Sequence, residues 1–288
     1  MTEVSAPRRY GHHEPDTARW VCAGAWLVLA LLAPWHTAAD RRTSAVAAVI
    51  IGWGWVGWTV VATALLVRTP VSLSVTRWIA PLSLVVSAAA RSPWSTSTTL
   101  VALGASWAPS FADHMVQGGA YGRETRFALR TPVPQMAPAV VAWLIVVTTL
   151  ISGSLLTAAE SYIAGVPLLI VGAVLCTRTP RHLHRLSRRW LVVVPAGVVV
   201  HDHVVLAETF MVRSVAMSSV EVVDAAGDAA DLTGGVTGRH VRIAMRDADK
   251  VVLSPITART MGTTEALHVL SFTVAPRRPA DLMAALGR

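Results

Sequence analysis

With 288 residues, 53% of them hydrophobic and only 15% charged, the chain is far more apolar than a water-soluble domain, where charged residues alone make up about a quarter. Its formal charge of +8 does not mark a nucleic-acid binder: residues 1–189 hold sixteen arginines against seven acids, +9, and the remainder sums to −1. Two cysteines, Cys22 and Cys176, each at the edge of an apolar stretch, give no disulfide framework.

Residues 1–19, MTEVSAPRRYGHHEPDTAR, are polar, contain acids and lead into an apolar segment without a small-residue cleavage site. They read as a retained cytosolic tail. Apolar runs at 20–39 and 45–67 follow, each long enough to cross roughly 30 Å of hydrocarbon. The second carries GWGWVGW, with Ala48-x-x-x-Gly52 at the small-xxx-small spacing that lets helices approach closely. Between 75 and 110, Arg77, Pro81, Arg91 and Pro93 cut the chain into two shorter spans, 75–90 and 95–110, either full or re-entrant. Spans at 137–156 and 162–176, joined by an acidic connection, form a helical hairpin and bring the total to six.

Arginines fix the direction of the bundle. Those before the first span, after the second, between the fourth and fifth, and after the sixth all fall on one side, which the positive-inside rule makes cytosolic. The chain therefore reads as a multi-pass protein of the cell membrane with both termini in the cytosol, divided into a tail at 1–19, a helical domain at 20–176, a basic seam at 177–189 and a cytosolic β-rich domain at 190–288.

Two polar stretches hold the candidate site residues. Loop 112–135 brings together Asp113, Gln117, Tyr121, Glu124, Arg126 and Arg130, a set able to bind an anion or a partner through its arginines, or to form an ordered loop that docks the tail. The seam offers Arg181, Arg185, Arg188 and Arg189 to anionic headgroups, at about 1 kcal/mol per charge near the surface. His182-x-His184 and His201-x-His203 have the spacing of metal ligands but no third partner, and His201-Asp202-His203 reads as a turn. No cofactor is indicated.

Beyond 190 the period changes from 3.6 to 2. WLVVVPAGVVV is a hairpin turning at Pro195-Ala196-Gly197, SVEVVDA is a strand, HVRIAMRD and KVVLS are two strands joined by a turn at DADK, and LHVLSFTVAP is a further strand. RRPADLMAALGR closes the chain as a helix with Pro279 in its first turn. No G-x-S-x-G, Walker or dinucleotide motif is present, so a non-enzymatic reading stands ahead of an enzymatic one.

Two motifs, VQGGAYGRETRFALRTP and HRLSRRWLVVVPAGVVVHDHVVLAE, resemble an actinobacterial family of multi-pass membrane proteins with no assigned activity. The resemblance carries no catalytic residues over to this chain. The strand succession with its closing helix resembles bacterial pleckstrin-homology-like (PH-like) domains. It implies a scaffold, regulatory or assembly subunit that meets a protein partner or the inner leaflet. A small-solute transporter or channel, motivated by the broken third and fourth spans, and an enzyme acting on lipid phosphate through Glu124, Arg126 and Arg130 are the other readings.

Overall fold

The computed structural model describes residues 16–224 and 227–287; most of the polar segment expected at 1–19 lies outside them. Five helical stretches are long and apolar enough to cross a membrane: Thr17–Ala39, Ser44–Leu66, Pro70–Ala89, Val133–Ala158 and Tyr162–Ser187. The first comprises α1 (Thr17–Leu32) and α2 (Pro34–Ala39), and the second is α3 (Ser44–Leu66). The third is broken at Pro81 into α4 (Pro70–Ile79) and α5 (Leu82–Ala89). α6 (Pro93–Trp107), which covers most of the second of the two shorter spans expected as full or re-entrant, has 15 residues and is about 22 Å long. It is short because Pro93 starts it and Pro109 opens the separate helix α7 (Pro109–Gln117).

Helix contacts in the bundle are polar where the sequence is polar. Trp26 Nε1 donates to the Trp58 carbonyl at 2.9 Å and Trp58 Nε1 returns a bond to the Trp26 carbonyl at 2.8 Å, locking α1 on α3. Gly54 is required by Trp35, whose side-chain carbons lie 2.4–2.7 Å from where its Cβ would stand. The expected Ala48/Gly52 approach is not used, since nothing lies within 4 Å of a Cβ at Gly52. On α8 (Val133–Ala158), Ser154 Oγ accepts a 2.9 Å bond from Trp53 Nε1, which joins α8 to α3. α8 and α9 (Tyr162–Cys176) form the hairpin, and α10 (Thr179–Ser187) turns away from α9 to pack on α4 and α8.

The β-rich part consists of two four-stranded sheets around one core. In the first, β1 (Thr125–Ala128), β2 (Arg189–Val194), β3 (Gly197–Asp202) and β4 (Phe210–Arg213) are antiparallel in that order. β1 comes from the loop between α7 and α8, so that loop supplies an edge strand to the tail. The second, mixed sheet has the order β5 (Met217–Val223), β7 (His240–Val252), β8 (Ala266–Val274), β6 (Ala230–Asp231), with β6 parallel to β8. α11 (Pro255–Met261) lies between β7 and β8, and α12 (Pro279–Ala285) closes the chain with Leu282 fully buried.

Two expectations change here. DADK is not a turn: residues 247–250 lie inside the 13-residue β7, which pairs with β8 on both sides of a register shift between Ala244 and Asp249. Its polar residues are the exposed, bulged stretch of one long strand. The turn expected at 201–203 begins later, because His201 and Asp202 still pair with Trp190 and Arg189.

The valine run of β2 has a physical reason. Leu191 enters the core between the sheets, while Trp190 and Val192 on the opposite face join the core of the helical bundle beside Phe111, Met115 and Ala128. A strand buried on both faces needs apolar residues at every position. The tail is thus fused to the bundle through α7, β1 and β2. The start of α1 and the end of α3 lie at this same end, with Arg19 Nε 2.9 Å from the Leu65 carbonyl and His114 3.8 Å from Asp16.

Candidate functional site

Strand pairing builds a groove at this junction. The register sets Ala128 beside Trp190 and Trp190 beside His201 in one row, and Arg126 beside Val192 and Val192 beside Val199 in the next. All six share one face of the sheet, because side chains alternate along a strand. All of them but Ala128, together with Pro70 and Val71 of α4, Gly119, Glu124, and His184 and Arg188 of the seam, border a groove of about 570 Å³.

Trp190 is its floor. The His201 ring stacks on the indole at 4.6 Å and 19°, while the guanidinium carbons of Arg126 and Arg188 lie 5.6 and 6.0 Å from the indole centroid. Arg126 is held by Glu124, whose Oε1 accepts bonds from Nη2 at 2.6 Å and Nε at 3.1 Å. That same oxygen accepts the Tyr121 backbone N–H at 2.6 Å, and Gln117 clamps both ends of the turn by donating to the Glu124 carbonyl and accepting from the Arg126 N–H. Gly119 lies beneath Arg126, its absent Cβ only 3.2 Å from Nη1.

The His201 imidazole is pushed down to about 4 by burial, then by His203 and Arg188. It therefore stays neutral near pH 7, and Arg188 Nη2 lies 3.4 Å from its Nε2. With His184 uncharged as well, the groove carries Arg126 and Arg188 against Glu124, a net charge of +1. Among the described residues, no three His, Cys, Asp or Glu side chains are grouped to hold a metal ion.

The residues singled out from the sequence separate in space. Gln117, Glu124 and Arg126 converge, with Tyr121 joining them through its backbone while its ring is 90% exposed. Arg130 does not share their site: Nη1 donates to the Thr237 carbonyl at 2.7 Å and Nη2 donates to that of Arg239, tying loop 232–239 in place. Asp113 points to the end of β1, where Oδ1 accepts the Ala128 N–H at 2.8 Å. On the seam, Arg181 and Arg185 are exposed and Arg188 lines the groove. Arg189 cannot contact headgroups: as the first residue of β2 it turns inward, 2% exposed, and pairs with Asp202. Trp190 and His201 were missed as a pair, yet counting back from a two-residue turn at Pro195-Ala196 places them opposite each other.

Two titrating groups give opposite acid responses. Burial raises the Asp113 carboxyl from 3.8 to about 6, despite the Ala128 N–H and the nearby Arg278 and Arg277. Folded Asp113 therefore binds its proton more tightly than the unfolded chain does. The cost of its charge, on the order of 3 kcal/mol, is fully present above about pH 6 and is relieved as pH falls towards 4. His201 does the reverse: its contribution is complete above about 6.5 and is lost as pH falls through about 4. Melting curves of the detergent-solubilised chain between pH 4 and 8 are expected to show His201→Gln resisting acid better than wild type, and Asp113→Asn resisting it less well.

Comparison with family models, curated proteins and solved structures gives no match to this chain.

Proposed function

We propose that this chain is a non-enzymatic integral protein of the cell membrane, in which α6, short but packed along α1, makes the sixth pass that leaves both termini in the cytosol, with a PH-like tail that engages anionic headgroups of the inner leaflet at the seam groove. The observation that carries the reading is the pair of guanidinium groups, Arg126 and Arg188, 5.6 and 6.0 Å from the Trp190 ring centroid where the sheet meets α4 and α10. Guanidinium forks match phosphate oxygens, an indole suits the boundary between headgroup and hydrocarbon, and the volume falls within the roughly 300–1,000 Å³ of small-ligand sites. A net charge of +1 complements the single negative charge of a phosphodiester. The exposed Arg178, Arg181 and Arg185 add non-specific attraction to the same surface. The role implied is a scaffold or regulatory subunit whose attachment to the leaflet presents the rest of the tail to a protein partner.

Native mass spectrometry of the full chain in nanodiscs of phosphatidylglycerol and phosphatidylcholine tests this. The intact protein is expected to retain phosphatidylglycerol preferentially. At about 1 kcal/mol per charge, the Arg126→Ala/Arg188→Ala double replacement weakens retention by at least about tenfold. Glu124→Gln, which raises the groove to +2, strengthens it. Equal retention of phosphatidylglycerol by wild type and the double variant would exclude the groove as a headgroup site.

A further inference from the structure

A second, smaller cavity lies at the end of β1, between the bundle and the segment after β8. It measures about 30 Å³ and is lined by Leu73, Arg77, Trp107, Ala128, Arg189 and Arg277, among others. Three arginines thus face one small space. The charge of Arg189 is answered by Asp202, and its guanidinium also donates to the carbonyls of Arg130 and Thr233.

Arg77 and Arg277 are not answered in this way. The Arg77 guanidinium donates through Nε to the Ser106 carbonyl at 3.2 Å and lies 4.9 Å from the Trp107 ring centroid, but its buried Nη2 has no hydrogen-bond partner. Arg77 is 7% exposed, so bulk water does not supply one. Nε of Arg277 is likewise buried without a partner. Among the described residues, no carboxylate stands within ion-pair distance of either side chain. Asp113, which acts on both electrostatically, commits Oδ1 to the Ala128 N–H. One carboxylate beyond ion-pair distance leaves the two cations with a net positive charge, burying which is a large cost, and a water molecule satisfies the N–H groups without neutralising it.

We propose that this cavity binds one small monovalent inorganic anion of the halide class, chloride, between the guanidinium groups of Arg77 and Arg277. Size selects the class: about 30 Å³ is two to three times the minimum for a single water, which admits a halide and is too small for the four oxygens of phosphate or sulfate. Arg77 belongs to the bundle and Arg277 to the segment between β8 and α12, so the anion joins the tail to the membrane part. Arg277 is only partly buried, which leaves a path for exchange with the cytosol. The site is separate from the groove around Trp190 and stands whether or not that groove binds lipid.

The test is thermal unfolding of the full-length protein in detergent, titrated with chloride against gluconate at constant ionic strength. A saturable rise of the melting midpoint with chloride, reproduced by bromide and absent with sulfate, is expected. Arg277→Gln, at a partly exposed position where folding is tolerated, shifts half-saturation upward by tenfold or more. Arg123→Gln, which removes an exposed charge away from the cavity, leaves half-saturation unchanged. Superimposable chloride and gluconate curves, a sulfate effect equal to that of chloride, or an unshifted half-saturation in Arg277→Gln would each overturn the proposal.

Discussion

Asp202→Ala is expected to cost about 3–5 kcal/mol and to release the tail from its fold, because it strands the Arg189 guanidinium inside the protein. The pair is fully enclosed, with side-chain exposures of 1% and 0%, and Arg189 Nη2 and Nε lie 2.7 and 2.8 Å from Asp202 Oδ2. Asp202 Oδ1 also accepts the backbone N–H groups of Val204 and Val205, which turns the chain at the end of β3. Limited proteolysis of membranes carrying the variant is expected to cut the tail far faster than wild type. Asp202→Asn keeps acceptors for the turn but not the charge, and is expected to lose most of the same stability. Replacing both residues by apolar ones restores only part, since the Arg130 and Thr233 carbonyls would then lose the donors that Arg189 supplies at 2.7 and 3.0 Å. A wild-type melting midpoint in Asp202→Ala would show that the pair contributes nothing to holding the domain.

Gly165→Ala is expected to destabilise the α8–α9 hairpin by about 3 kcal/mol, the upper part of the usual range for overpacking. The added Cβ would stand 2.7 Å from the Thr157 backbone nitrogen and 3.0 Å from the Gly153 carbonyl, neither of which is a flexible side-chain end. The glycines are reciprocal: a Cβ on Gly153 would come within 2.8 Å of the Leu169 nitrogen and 3.0 Å of the Gly165 carbonyl. The helices must therefore move apart along their length. Because α10 follows α9 and packs on α4 and α8, the shift reaches the seam. Unfolding of the purified variant in mild detergent should start at lower temperature than wild type. Gly52→Ala, with nothing within 4 Å of the new methyl, serves as the control and should melt as wild type does.

Both variants act on contacts between distant parts of the chain, and there the sequence was least informative. GWGWVGW marked close helix packing, but its spacing pointed to Gly52; only the position of Trp35 on the neighbouring helix selects Gly54 instead. DADK had the composition of a turn, yet pairing with β8 on both sides holds it within one strand.

The sequence by itself determined the long helices, the change of period near residue 190 and the hairpin around Pro195-Ala196. Each follows from local hydrophobic periodicity and turn chemistry, which a short window of residues contains. Only the tertiary structure decided that residues 125–128 complete the tail's first sheet and that Arg126 and Arg130 serve different loops. It alone showed that Arg189 leaves the basic run to pair with Asp202, and that Arg77 meets Arg277 at a cavity. Strand register between segments some sixty residues apart and the burial of one arginine among exposed neighbours depend on long-range pairing, for which residue type gives no local signal.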